Sequence, residues 1–221
     1  MGVPKKYKAE FNEHGFYHVY NRTNNKEPLF VSDSDRRLFL SRFEFYTANF
    51  IDNFAWNLLT NHFHFYVRIK SYDDIYSHLK KLPQKKLCRT EKRFLKQKVS
   101  IHQLIDNAFK RLFISYTLRF NKKYDRKGNL FHRPFKRVVT LRESQFIQTI
   151  IYINANAVKH NLVKNISEHI WSSYHNIISE KKINKITAEI LVEFGGLNEF
   201  IRLHEEIEKY YFECETAPDD D

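Results

Sequence analysis

The residues from His62 to Ile69 (HFHFYVRI) alternate strictly between two kinds of side chain. One side of the pattern is apolar, and the other side carries His62, His64, Tyr66 and Arg68. A period of two is the period of a β-strand, whose successive side chains point to opposite faces. The stretch therefore predicts a half-buried strand whose apolar side belongs to a core.

The two histidines of this strand, His62 and His64, lie two positions apart and so project from the same face. Neutral imidazole is a common ligand of transition-metal ions, and a strand holds two rings in a fixed relation. The pair therefore indicates part of a metal site. Two ordinary histidines on a wet sheet face are the alternative, because a two-ligand motif has little specificity by itself.

The segments around this strand have the patterns of further strands and amphipathic helices. Thr60-Asn61 has the size and chemistry of a tight turn into His62, and Thr140 and Glu143 match a capping box that opens a helix. The predicted strands are 16–23, 54–59 and a segment ending at 138–139. The predicted helices are 32–49, 72–81, 101–120, 140–159 and one or two between 187 and 212.

The charge of the chain indicates the class of its partner. Its 221 residues include 37 Lys and Arg against 26 Asp and Glu, a formal net charge of +11. Such a chain most often meets a polyanion, usually nucleic acid, and a merely soluble basic surface is the alternative. Cys88 and Cys214 share no metal or redox spacing, and no apolar run could span a bilayer. We therefore expect a cytoplasmic protein without a membrane partner.

Basic and aromatic residues interleave from Asn121 to Arg137, and a lysine-rich run covers residues 80–98. Such mixing suits phosphate contact combined with base stacking. The 80–98 run equally fits a solvated linker or helix face. The predicted contacts with nucleic acid are Asn21, Arg22, Arg119, Lys122, Lys123, Arg133, Lys136 and Arg137.

Tyr152 and Asn156 lie one turn apart on the helix predicted for residues 140–159, so their side chains point the same way. A phenol is a poor nucleophile at neutral pH, because its pKa is near 10. To attack a phosphate, it needs a nearby cation, and the phosphate must be held in line with the attacking oxygen. Taken alone, a tyrosine on an amphipathic helix usually packs against the protein.

Five motifs, in order, resemble those of the single-tyrosine HUH transposases, specifically the REP-associated tyrosine transposases. They are Tyr20-Asn21-Arg22-Thr23, Asn61-His62-Phe63-His64, the Asn-x-x-Tyr and Gly-Asn-Leu-Phe patterns within 121–136, Tyr152-Ile-Asn-Ala-Asn156-Ala-Val, and Trp171-Ser-Ser-Tyr174. The resemblance covers roughly residues 14–175. This chain departs from the family at Thr60 and Ala157, where proline is usual, and neither position carries chemistry.

The resemblance implies a ferredoxin-like α+β fold with a central antiparallel sheet and helices, the HUH endonuclease type. It places the two histidines on the middle of that sheet and the tyrosine on a helix packed beside it. It also implies a catalytic domain over residues 1–175, followed by a C-terminal helical extension, 176–221, that ends in the acidic tail Thr216–Asp221.

The resemblance implies a transposase-like single-stranded DNA endonuclease and strand-transferase that acts at or near hairpins. Tyr152 takes the place of the nucleophile, which forms a 5′-phosphotyrosine link and leaves a free 3′-OH. His62, His64 and Asn156 take the places of the residues that hold one divalent ion, Mg or Mn.

Two other functions fit parts of the same pattern. A non-catalytic binder of structured single-stranded DNA would share the fold and the charge, but it has no need of His62, His64, Tyr152 and Asn156 together. An RNA-binding or RNA-processing protein would use the same charge and aromatic residues. The sequence leaves open the recognised hairpin and the choice between a monomer and a homodimer.

Overall fold

The computed structural model describes residue 4 and residues 7–141, 143–179 and 183–213. It shows an α+β fold in which helices pack on both faces of one four-stranded antiparallel sheet. The predicted fold class is thereby confirmed. The predicted acidic tail, Thr216–Asp221, and Cys214 lie outside the described residues. Within the described ranges, no helix combines the length and apolarity needed to cross a bilayer.

The predicted elements occur in the predicted order, with ends that differ by up to about three residues, and the helices α3 and α6 were not predicted. The strands are β1 (Phe16–Arg22), β2 (Ile51–Leu58), β3 (His62–Ile69) and β4 (Lys136–Thr140). The α-helices are α1 (Asp33–Thr47), α2 (Tyr72–Lys81), α3 (Arg89–Leu95), α4 (Ile101–Lys123), α5 (Glu143–Lys159), α6 (Tyr174–Ile178), α7 (Lys185–Phe194) and α8 (Leu197–Glu213).

The predicted capping box at Thr140 is wrong. Thr140 is the last residue of β4, and α5 begins only at Glu143. The amide of Leu141 instead donates to Oε1 of Gln145, at 2.9 Å. The strand continues to Thr140 because its pairing with β1 extends to Phe16.

The strands lie in the order β2-β3-β1-β4, and each neighbouring pair is antiparallel. This is the arrangement of a ferredoxin-like β-α-β-β-α-β unit. The inner strands are β1 and β3. Their register sets Arg22 opposite His62 and Tyr20 opposite His64, so these four side chains share one face of the sheet.

The apolar face of β3 packs against α1 and α4. Phe65 stacks on Phe43 of α1 with ring centroids 3.8 Å apart, and Phe63 lies 5.7 Å from Phe113 of α4. Ser32 is the N-cap of α1, in a capping box with Asp35. Burial of these large rings supplies much of the hydrophobic stabilisation of the fold.

The opposite face of β3 is covered as well, so the prediction of a half-buried strand is wrong. His64 is 1% exposed and Tyr66 is 0% exposed. The helix α5 lies across this face, and Tyr66 packs with its Phe146 and Ile150 in a second core. Alternation in the sequence indicates which face of the strand is polar, but it does not indicate which element covers that face.

The helices α7 and α8 complete this second core. Phe194 of α7 and Phe200 of α8 pack with ring centroids 4.8 Å apart, and Phe200 stacks 5.7 Å from Tyr174. At the end of β3, Arg68 forms ion pairs with Asp52 of β2 and with Glu189 of α7. The C-terminal helices are therefore packed onto the same sheet that holds the two histidines.

Candidate active site

The site lies on the face of the sheet that α5 covers. Strand β1 contributes His18 and Tyr20 to this face, and β3 contributes His62 and His64, because directly paired residues of antiparallel strands share a face. The rings of Tyr20 and His64 stack with centroids 5.6 Å apart. These four side chains form a polar patch, in which His64 is buried and the other three are partly exposed.

The helix α5 brings Tyr152 and Asn156 over this patch. The Tyr152 ring lies 5.9 Å from the His64 ring, nearly perpendicular to it, and 5.8 Å from the His18 ring. Asn156 is completely buried, and its Oδ1 lies 3.4 Å from Nε2 of His62. The four residues predicted for nucleophile and metal site, from two distant parts of the chain, are therefore brought together.

His64 is held through one nitrogen and presents the other. Its Nδ1 lies 2.8 Å from Nε2 of His18, whereas its buried Nε2 has no hydrogen-bond partner among the described residues. Burial lowers the pKa of His64 well below its usual value, and the charges of His18, His62, His160 and Lys159 lower it further. A buried N–H without an acceptor is costly, so the favoured tautomer carries its proton on Nδ1 and a lone pair on Nε2.

The tautomer of His62 follows from Asn61. Nδ1 of His62 lies 2.7 Å from Oδ1 of Asn61, an atom that only accepts, so Nδ1 carries the proton of the neutral ring. Nε2 then carries a lone pair and faces the side-chain Oδ1 of Asn156, which is another acceptor. Two acceptors that face each other across 3.4 Å are suited to a shared cation.

The donor set thus fits a divalent ion of the Mg or Mn type. It offers the imidazole nitrogens of His62 and His64 and the carboxamide oxygen of Asn156. Among the described residues, no three side chains drawn from His, Cys, Asp and Glu form a metal-binding group. The set depends on an amide as its third protein ligand.

A cleft of about 450 Å³ opens beside these residues. Its cationic side chains are Arg22, Lys26, Arg133 and Lys136, and no carboxylate from the described residues lines it. The remaining lining residues are Tyr20, Asn21, Asn61, His62, His64, His132, Pro134 and His160. A concave surface with one sign of charge attracts a polyanion to the residues predicted to hold a metal ion.

Four of the predicted nucleic-acid contacts line this cleft: Asn21, Arg22, Arg133 and Lys136. Arg22 and Arg133 are exposed. Asn21 is buried and donates through Nδ2 to the carbonyl of His132 at 3.0 Å, so it holds the wall of the cleft in place. Nζ of Lys136 lies 5.2 Å from the centre of the Tyr20 ring.

Two other predicted contacts are occupied within the protein. Arg137 is 7% exposed; its Nε donates to the carbonyl of Ala9 at 2.6 Å, and its Nη1 lies 3.3 Å from Asp106. Lys123 lies 2.7 Å from the buried carboxylate of Asp35. The strand register turns Arg137 to the face away from the cleft, so the structure assigns a packing role to it.

The last two predicted contacts, Arg119 and Lys122, are exposed on the final turns of α4 and do not line the cleft. The lysine-rich run 80–98 forms the end of α2, the helix α3 and their flanking segments. Within it, Glu91 pairs with Arg111 of α4. No residue of this run lines the cleft.

Two histidines of the site were not predicted. His18 is the hydrogen-bond partner of His64, and His160 lies with its ring 5.0 Å from that of His62. His160 follows Asn156 by four residues, and this spacing places Tyr152, Asn156 and His160 along one side of α5. That signal is present in the sequence, whereas the pairing of His18 with β3 requires the register of the sheet.

Among the comparisons with known proteins, the one with solved structures supports the fold described above. No protein-family model and no curated protein matches the chain. One similar solved structure is a REP-associated tyrosine transposase bound to a REP hairpin, with 16% sequence identity and a TM-score of 0.52 over 83% of this chain and 89% of that chain. The chain therefore has the fold of that transposase, which confirms at the level of the fold the resemblance expected from the motifs.

A second similar structure is a bacterial tRNA(His) guanylyltransferase (Thg1)-like protein in complex with ATP. It matches at 13% identity and a TM-score of 0.38, over 82% of this chain and 74% of that chain. A score this low carries no argument about the present protein.

We expect the His64 ring to stay neutral as the pH is lowered through 6.5, where an ordinary imidazole is half protonated. Its depressed pKa favours the neutral form at that pH. Long-range ¹H–¹⁵N NMR of histidine-labelled protein, assigned with His64→Asn, measures both charge and tautomer. Titration of His64 near pH 6.5, or a proton on Nε2, would contradict this assignment.

Proposed function

We propose that this protein is a metal-dependent endonuclease and strand-transferase of single-stranded DNA, which acts at or near hairpins through a 5′-phosphotyrosine on Tyr152. The observation that supports it most is that α5 holds the Tyr152 ring 5.9 Å from the His64 ring and Oδ1 of Asn156 3.4 Å from Nε2 of His62, while both histidines line a cationic cleft. The fold shared with a transposase bound to a REP hairpin supports hairpin DNA as the substrate.

In the proposed step, Oη of Tyr152 attacks the scissile phosphorus, and the P–O3′ bond breaks. The phenol loses its proton and the departing 3′ oxygen takes one up, so one phosphodiester is exchanged for another without oxidation or net hydrolysis. Because bond energy is conserved, attack by a 3′-OH on the phosphotyrosine can rejoin strands without ATP.

The protein supplies a cation next to the attacking group. Nζ of Lys159 lies 5.1 Å from the centre of the Tyr152 ring, on the same helix. A positive charge at this position stabilises the negative charge that develops on the phenol oxygen. Arg22 and Arg133 in the cleft bind the phosphates on either side and so hold the strand in register with Tyr152.

His62, His64 and Asn156 are the residues that would hold a divalent ion, Mg or Mn. When bound, such an ion neutralises charge on the non-bridging oxygens of the phosphate and helps to orient it. The protein itself keeps the Nε2 atoms of His62 and His64 unprotonated. Asn61 and His18 do this because each accepts a hydrogen bond from the Nδ1–H of the histidine beside it.

Tyr66 lies on the histidine face as well, as Tyr20 does, and it is a poor candidate for the nucleophile. It is 0% exposed, and burial raises its pKa to about 12. A buried phenol that resists ionisation cannot approach a phosphate in the cleft. Tyr66 therefore serves as a control for Tyr152.

We expect Tyr152 to become covalently joined to DNA. With a labelled single-stranded hairpin oligonucleotide that carries the flanking repeat of the protein's own gene, and with Mg or Mn, a denaturing gel should show a slow-migrating adduct on the downstream fragment and a free 3′-OH on the upstream fragment. Tyr152→Phe removes only the attacking oxygen, so it should abolish the adduct and retain DNA binding.

The matched control is Tyr66→Phe, which should retain the adduct. An adduct that survives Tyr152→Phe would move the nucleophile elsewhere. Cleavage without any adduct would point to water as the attacking group and would sink the proposed mechanism.

We expect the cleft charges to set the salt dependence of DNA binding. Each phosphate neutralised on a single strand contributes about 0.7 to the slope of log affinity against log salt. The triple variant Arg22→Gln, Arg133→Gln, Lys136→Gln should therefore lower the slope by about 2. Arg119→Gln with Lys122→Gln, on α4, should leave the slope unchanged. The reverse pattern would place the DNA on α4 instead of the cleft.

A further inference from the structure

The helix α5 carries a second asparagine, Asn154, between Tyr152 and Asn156. In an α-helix each residue advances by about 100°, so Asn154 lies about 160° around the axis from both of them. Its side chain is 0% exposed and faces the C-terminal helices. Packing alone would be served by an apolar residue at this position, because burial of an amide is unfavourable unless its hydrogen bonds are made.

Both polar atoms of the Asn154 side chain have hydrogen-bond partners, in two different parts of the chain. Oγ of Ser173 donates to its Oδ1 at 2.8 Å, and the amide of Trp56 in β2 donates to that same Oγ at 3.0 Å. Its Nδ2 lies 3.1 Å from Nε2 of His204 in α8. The network thus ties α5 to β2 on one side and to α8 on the other.

The tautomer of His204 is determined within this network. Its Nδ1 lies 2.7 Å from the carbonyl oxygen of Phe200, which only accepts, so Nδ1 carries the proton. Nε2 then accepts from Asn154. Phe200 and Tyr174 pack against the His204 ring at centroid distances of 4.1 and 5.2 Å, which fixes its orientation.

A second attachment lies directly beside the first. Nδ2 of Asn57 in β2 donates to the carbonyl of Ile153 in α5 at 2.7 Å. Asn57 is paired with His64 in the sheet. This hydrogen bond therefore fixes the position of α5 relative to β2. Through β2 it also fixes α5 relative to β3, the strand that carries the metal-site histidines.

We propose that His204 and Ser173 are positioning residues, which hold the Asn154 amide and thereby aim Tyr152 and Asn156 at the substrate. This inference rests on the proposed function. The C-terminal helix α8 would then be part of the catalytic apparatus, although it contributes no group to the cleft. A displacement of about 1 Å of a reacting group can cost about 100-fold in rate, so a small rotation of α5 is enough to matter.

The test compares variants that differ only in this contact. His204→Leu removes the acceptor and leaves the Asn154 amide unpaired, whereas His204→Gln retains an acceptor on a side chain of similar reach. Asn154→Leu combined with His204→Leu removes both partners of this hydrogen bond, so neither an unpaired amide nor the contact with α8 remains. Ile190→Ala, in α7 of the same core, is the control for destabilisation alone.

The readouts are the single-turnover rate at saturating hairpin DNA and the dissociation constant for that DNA, both under conditions where every variant is folded. We expect His204→Leu and the double variant to lose at least about tenfold in rate, with less than about threefold change in the dissociation constant. His204→Gln and Ile190→Ala should stay near wild type. Equal losses in Ile190→Ala and His204→Leu would overturn the proposal, as would a double variant with wild-type rate.

A readout without catalysis separates this proposal from the proposed function. With 3-fluorotyrosine at position 152, the ¹⁹F shift senses the adjacent His18 and His64 rings. The signal should move or broaden in His204→Leu and in the double variant, and stay in place in His204→Gln and Ile190→Ala. An unmoved signal in both leucine variants would refute the positioning role, even if the wild-type protein cleaved nothing.

Discussion

The antiparallel pairing of β1 with β3 is the interaction on which the site depends. It places His18 and Tyr20 beside His64 and sets Arg22 opposite His62. One register therefore determines the hydrogen bond that orients His64 and the approach of a cationic side chain to the cleft. A slip of one residue would turn all of these side chains to the apolar face, where α1 and α4 pack.

The second constraint is the polar interior under α5. Proteins bury unpaired polar atoms rarely, yet Nε2 of His64 and Nδ2 of Asn156 are both buried without hydrogen-bond partners in the part of the chain that the structure describes. These atoms cost stability in isolation. The large aromatic core on the other face, including the stacked pair Phe43 and Phe65, offsets that cost. Polar atoms of this kind are expected where a protein prepares a site for a ligand.

Hydrophobic periodicity is local, so the sequence predicts most of the helices and strands. The fold class and the residues that meet at the site were expected from the resemblance that the five motifs carry. The sequence does not predict partners that depend on register or on tertiary packing. Arg137 has the sequence context of a phosphate contact, but strand alternation directs it inward to Asp106. His18 gains its role only through pairing with β3, and Asn154 only through the approach of α8. The covering of the polar face of β3 was likewise not visible in its alternation.

The most direct test of the account is whether His62 and His64 bind one metal ion together. Pulsed EPR of bound Mn²⁺, with ¹⁵N-labelled histidine, measures the number of imidazole nitrogens coupled to the ion. We expect two such nitrogens in the wild-type protein, one in His62→Ala and in His64→Ala, and none in the double variant. Mn²⁺ that shows no histidine coupling in the wild-type protein, or the same couplings in all three variants, would contradict it.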